Sequence, residues 1–309
     1  MSKIVVIVGP TASGKTDLSV ILAQKFNGEC INADSTQIFQ GTDIATNKIS
    51  ESEMQGIPHH LFSIKKVNES YSVADYQRDG RKIINEVLER GKLPIIVGGT
   101  GLFINALIMN YNFNSKEHIP DFENKYSNLD NQELWNVLKK VDKEAALSIH
   151  PNNRYRVLRA LEIFEINGQV KSTIIKNNKH MFYDEVIIIG IEPDRKLLHK
   201  KIEDRVLKLV EKGLFEEIKK AWSDNNYNET SQALKCIGGP EILSYLKNEI
   251  NYERCIELMQ RNNRRYARRQ LTWFKNQFED VKWFNHDYQN FQVMTENVSN
   301  YIHLKLNNL

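Results

Sequence analysis

The sequence predicts an α/β fold, a three-layer core around a parallel sheet with a helical insertion. Three observations predict it. Apolar runs at 3–8, 28–34, 93–97 and 185–191 have the near-continuous hydrophobicity of strands buried on both faces. Helical periodicity fills 15–26 and 73–90 between them. The strand rhythm stops over 113–184 and then resumes.

The first strand feeds Gly9-Pro-Thr-Ala-Ser-Gly-Lys-Thr16, which fits G-x-x-x-x-G-K-[S/T] at every fixed position. Gly9 and Gly14 allow successive N–H groups to curl around an anion. The next helix carries Leu18, Ile21, Leu22 and Phe26 on one face and stops before Gly28, so its positive end points at the bound phosphate. Lys15 would reach the terminal phosphates and the Thr16 hydroxyl would hold Mg²⁺. Gly9, Pro10, Thr11, Ala12, Ser13, Gly14, Lys15 and Thr16 therefore form the candidate cradle, and the core is P-loop NTPase-like.

The second strand ends in Asn32-Ala-Asp-Ser-Thr-Gln37. Ligands of open α/β sheets bind beyond the carboxyl ends of strands, so Asp34 should face the bound compound or its acceptor. Its carboxylate could take a proton or hold Mg²⁺, or simply cap a helix. The third strand ends in Gly98-Gly99-Thr100, where hydrolases carry an aspartate. That substitution weighs against an ATPase or GTPase; Thr100 could donate to a phosphate oxygen or cap a turn. The pair His59-His60 lacks ligand spacing and suggests no metal.

Over 113–184 a connection at Asn112–Pro120 precedes helical patterns at 131–149 and 152–167, divided by Pro151 and ended by Gly168. The expected domains are 1–112 with 185–309, and 113–184. Beyond Pro193 the chain reads as helical. Leu197, Leu198, Ile202, Val206, Leu209 and Val210 form a stripe, with Arg205 read opposite it. A long helix follows at about 252–278, and the tail after Asn285 carries little signal.

The 41% hydrophobic and 26% charged fractions are those of a soluble globular protein, and a net charge of +3 neither demands nor excludes nucleic acid. Cys30, Cys236 and Cys255 lack C-x-x-C spacing and suit a reducing compartment. No signal peptide or bilayer-length apolar run is read, so the cytoplasm is expected, with no membrane contact and no evident obligate protein partner. Two basic clusters stand out. One is Arg154, Arg156 and Arg159; the other holds seven Lys/Arg against Glu257 over 254–275, with Tyr266, Trp273 and Phe274 interleaved. Each suits a phosphate backbone with stacked bases, or a solvated helix face.

Taken together, 9–16, Asn32-Ala-Asp-Ser-Thr-Gln-Ile-Phe39, Gly41-Thr-Asp-Ile-Ala-Thr-Asn-Lys48, Pro58-His-His-Leu61, Val97-Gly-Gly-Thr-Gly-Leu102, His150-Pro-Asn-Asn153, Arg159-Ala-Leu-Glu162 and Arg268-Arg-Gln-Leu-Thr-Trp-Phe274 resemble the bacterial tRNA dimethylallyltransferase family. The segments occur in family order and cover nearly the whole chain to about Asn285. The resemblance implies transfer of a dimethylallyl group from dimethylallyl diphosphate to N6 of the adenosine 3′ of the tRNA anticodon. It implies Mg²⁺ as cofactor and the anticodon stem-loop as partner, clamped by the insertion. Asp34 matches the family's general base, and Thr100 and Arg205 match its pyrophosphate contacts. Asp34, Ser35, Thr36, Gln37, Tyr155, Arg156, Val157, Leu158 and Arg159 match its tRNA-contacting stretches. Ile237-Gly-Gly-Pro-Glu241 departs from the family's Ile-Gly-Tyr followed by a basic residue and an acid. An adenylate isopentenyltransferase, a P-loop small-molecule kinase and a nucleotide-dependent switch share the loop and remain alternatives.

Overall fold

The computed structural model describes residues 3–111, 119–170, 172–173, 180–286 and 288–307. β1 (Lys3–Val8) sits in the middle of one parallel sheet. On one side follow β4 (Leu93–Val97), β2 (Gly28–Asn32) and β3 (His59–His60); on the other, β5 (Glu185–Pro193) and β6 (Val281–His286). Val6 lies opposite Ile96 and Ile188, so branched apolar chains meet across the three central strands.

Alternation along the strands divides the core into two layers. Val5, Ile7, Cys30, Ile95 and Ile189 face α1 (Lys15–Lys25) and α13 (Phe291–Asn307), meeting Leu18, Leu22, Met294, Val298 and Ile302. The opposite face is covered by α4 (Val73–Glu89) and α5 (Gly101–Ile108), where Tyr76 donates to Asn32 O at 2.7 Å. Between these elements come two four-residue helices, α2 (Asp43–Thr46) and α3 (Glu51–Met54).

A separate compact unit spans Met109–Phe182 and divides the core chain into Met1–Ile108 and Tyr183–Leu309. It holds α6 (Asn131–Val141), α7 (Lys143–Ser148) and α8 (Arg154–Asn167) around Leu134, Leu138, Val157 and Leu161. The helix expected over 131–149 breaks at Asp142, whose carboxylate accepts from Ala145 N and starts a new helix. Most of the expected connection at 112–120 lies outside the described residues.

After β5 come α9 (Arg195–Glu211), α10 (Leu214–Asp224), α11 (Gly239–Leu246) and α12 (Tyr252–Gln277). The tail departs from the helical reading. Val281–His286 adds an edge strand, and α13 packs on the sheet beside α1. Most of its residues are intermediate or exposed, so it lacks the buried apolar run that marks the inner strands.

Candidate functional site

The parallel sheet brings three strand ends together. Gly98 N donates to Ile7 O (3.4 Å), Ala33 N to Val97 O (2.8 Å) and Thr100 N to Ala33 O (3.0 Å). A Cβ on Gly98 would lie 2.2 Å from the Ala33 carbonyl, so glycine is required for this approach. The 9–16 loop leaves β1 beside this junction, and Gly14 enters α1 at φ +73°, a left-handed angle that favours glycine.

Within the loop Ser13 is buried and its hydroxyl donates to Pro10 O at 2.8 Å. Lys15 Nζ folds over the loop onto the same carbonyl. Burial lowers the Lys15 pKa to about 7; the Asp34 carboxylate opposes the shift and Arg205 adds to it. Thr11, Ala12, Gly14, Lys15, Thr16, Asp34, Gln37 and Arg205 share the wall of one cavity of about 400 Å³.

Arg205 corrects the sequence reading. It lies three residues beyond Ile202 and four before Leu209, both buried, so helical spacing puts it on the apolar face of α9. Its Nη1 donates to Thr11 Oγ1 at 2.9 Å, and its buried Nε has no hydrogen-bond partner among the described residues. Burial lowers its pKa to about 10, opposed by Asp34, so it stays charged at neutral pH. An unpartnered buried donor beside a phosphate loop is a place for an anionic oxygen.

Asp34 follows β2. Its Oδ1 accepts from Thr36 N (3.0 Å) and Thr36 Oγ1 (2.7 Å), while Oδ2 has no partner among the described residues. One oxygen is thus held by the turn, and the residue lines the cavity. Gln37 Nε2 donates to Thr46 O at 3.0 Å and lines the cavity. Thr100 does not line it: its hydroxyl accepts from Ser35 N at 3.0 Å and donates to Ser35 Oγ at 3.2 Å. In this arrangement Thr100 braces the 34–37 turn.

Several lining groups escaped the sequence reading. Gln270, on the inner face of α12, is 5% exposed. It accepts from Thr11 N (2.8 Å) and donates to Gly99 O (3.0 Å). Its signal is an amide inside the buried row Cys255, Met259, Ala267, Phe274. Tyr288 donates to Ala12 O at 2.9 Å, and Lys201, His286 and Phe291 complete that wall. No pattern in the tail announced His286, Tyr288 or Phe291.

The basic clusters separate into structural and open groups. In the 109–182 unit, Arg154 donates to Tyr126 O (2.7 Å) and Leu129 O (2.8 Å), and Arg159 pairs with Glu162 at 2.7 Å. Val157 is fully buried, and Leu158 packs partly buried against the same core. Tyr155, 73% exposed, and Arg156 face solvent. On α12, Arg264 pairs with Glu203 and Lys275 with Glu192, while Arg265, Arg268 and Arg269 are exposed. His60 Nε2 meets Glu29 Oε2 at 2.7 Å and His59 Nδ1 meets Ile57 O at 2.8 Å. Among the described residues no three His, Cys, Asp or Glu gather as a metal cluster, and no helix is long and apolar enough to cross a membrane.

Comparison with known proteins gives these residues a context. The chain is 43% identical to the tRNA dimethylallyltransferase of Thermoanaerobacter sp. (strain X514), over 99% of both chains. The crystal structure of the full-length tRNA isopentenylpyrophosphate transferase from Bacillus halodurans superposes with a TM-score of 0.74 at 41% identity, covering 99% of this chain and 97% of that one. A eukaryotic dimethylallyltransferase captured acting on tRNA superposes with a TM-score of 0.85 at 30% identity, covering 97% of this chain and 78% of that one. The sequence model described as IPP transferase matches residues 37–277, from Gln37 to the end of α12. With that span matched and relatives aligned end to end, the chain belongs to the IPP transferase family.

Proposed function

We propose that this enzyme transfers the dimethylallyl group of dimethylallyl diphosphate to N6 of the adenosine 3′ of the tRNA anticodon, releasing diphosphate. The observation that carries the reading is one cavity wall holding both an anion cradle and the free Oδ2 of Asp34. The N–H groups at 13–16, Lys15 and Arg205 Nε hold the diphosphate. The C1–O bond breaks with its electron pair going to diphosphate, the N6–C1 bond forms, and the N6 proton passes to Asp34 Oδ2. An exocyclic amine must be unpaired to react, so the loop adenine enters the cavity flipped out. Tyr288 and Phe291 close the wall beside Ala12 and Gly14 and keep water from the allylic carbon.

The donor set fits Mg²⁺: the Thr16 hydroxyl lines the cavity at the first turn of α1, where no carboxylate cluster is needed because phosphate oxygens complete the ligand shell. Mg²⁺ bound there supplies positive charge to the leaving diphosphate. Ser35 and Gln37 from the core, and Tyr155 and Arg156 from the 109–182 unit, are the proposed tRNA contacts. The cytoplasm is the proposed location, where tRNA is available and the buried thiols Cys30, Cys236 and Cys255 stay reduced.

The test is incubation with radiolabelled dimethylallyl diphosphate and unmodified tRNA, AMP or a small alcohol with ATP. Label on the tRNA adenosine is the expected result. Label on AMP alone, or phosphorylated alcohol, would replace the reading with a free-nucleotide transferase or a kinase.

A further inference from the structure

Two hydrogen bonds of one buried amide join the halves of the site. Thr11 N donates to Gln270 Oε1 at 2.8 Å, and Gln270 Nε2 donates to Gly99 O at 3.0 Å. Gly99 stands next to the free oxygen of Asp34: a Cβ built on it would lie 3.8 Å from Asp34 Oδ2 and 2.1 Å from Gln270 Nε2. Backbone N–H groups of a phosphate loop ordinarily bind the anion, but the Thr11 N–H is committed to a side chain from α12. Its hydroxyl oxygen accepts from Arg205 Nη1. Both bonds anchor Thr11 in the loop.

We propose that Gln270 is a positioning residue for transfer, one that fixes the distance between the diphosphate cradle and the Asp34 carboxylate. The proposal rests on the prenyl-transfer reading of the cavity. Geometry favours Gln270 over a general packing role. A buried amide with both ends engaged is directional, and the glycine at 99 gives it the room to reach the turn. A reacting centre tolerates little misplacement: a shift of about 1 Å can cost about a hundredfold in rate.

The experiment compares parent, Gln270→Met and Gln270→Glu with dimethylallyl diphosphate and unmodified tRNA, measuring kcat, KM and the ratio of dimethylallyl alcohol to prenylated tRNA. The alcohol forms when water takes C1 in place of N6 while diphosphate leaves. That ratio does not depend on how much of the protein is folded. Gln270→Met removes both bonds at similar volume; kcat should fall at least about tenfold, with tRNA affinity unchanged and the alcohol ratio raised. Gln270→Glu keeps the acceptor for Thr11 but loses the donor to Gly99 and should fall between. If Gln270→Met is unfolded, the Glu variant decides alone. A folded variant with the parent's kcat and alcohol ratio, or a lowered kcat with an unchanged ratio, overturns the positioning role. A parent that prenylates no tRNA overturns the functional reading instead.

Discussion

Arg205 Nη1 donates to Thr11 Oγ1 across 194 residues of sequence, at 2.9 Å, and ties the helix after β5 to the phosphate loop. Removing that cation should act on the departing charge. For Arg205→Ala, kcat for prenyl transfer is expected to fall roughly 10²- to 10³-fold, the cost typical of one lost donor to a developing anion. Steady-state assays at saturating substrates check this, and an unchanged kcat would return Arg205 to a packing role.

Asp34→Asn keeps the acceptor for Thr36 but cannot take a proton. Transfer should drop by about 10²- to 10⁴-fold, with tRNA affinity within about twofold of the parent because the held oxygen persists. Filter binding alongside single-turnover transfer separates the two effects. Equal loss in both would make Asp34 a tRNA contact.

Lys15 gives the ligand-free protein a pH signature. Burial brings its pKa from 10.5 to about 7 in the folded chain. Between those values the unfolded chain holds the extra proton, so this group makes stability rise with pH from about 7 to 10. Urea midpoints at pH 6.5 and pH 9 should show a gain in the parent that is smaller in Lys15→Met. Parallel curves would rule out a buried titrating ammonium.

Glu29 works in the other direction. Burial alone would raise its pKa, but hydrogen bonds from Arg90, His60 and Lys92 bring it down to about 2. Its stabilisation is full above the ordinary carboxylate value of 4.5 and is lost as pH falls toward 2. Glu29→Gln should cost roughly 1–3 kcal/mol at pH 7, reduced because the cationic partners are partly exposed. The difference should shrink in acid, and a gap that persists at pH 2 would point to packing instead.

In the 109–182 unit, neighbouring arginines should behave differently. Arg156→Ala is expected to lower the slope of log K against log salt for tRNA by about 1 without changing thermal stability. Arg154→Ala should lower thermal stability, because its guanidinium holds the Tyr126 and Leu129 carbonyls. The reverse pattern would exchange their roles.

The inner strands and the strand–turn–helix at 9–16 were legible because both are local: apolar runs, fixed glycines and a lysine at set spacing. So was Asp34, which only needed a strand end. Arg205 and Gln270 were harder, since each is a polar residue inside a buried helical row and its meaning depends on what lies across the gap. Arg205 was misread because the stripe around it was drawn too wide, to include Leu197 and Val210. β6 and α13 were missed for a different reason: a half-exposed edge strand carries no buried run, and its partner helix is ordinary in composition.

The wall formed by Tyr288 and Phe291 has a consequence for the making of the protein. Lys15 is translated 276 residues before Phe291, an interval of roughly 15–55 s at bacterial or eukaryotic elongation rates. For that time the nascent loop stands without Tyr288 on Ala12 and without the aromatic ring that lies 3.0 Å from a Gly14 Cβ position. The loop's own anchors are also late, Arg205 coming 190 residues and Gln270 255 residues after Lys15, so the cradle and its aromatic wall are completed together, near the end of translation.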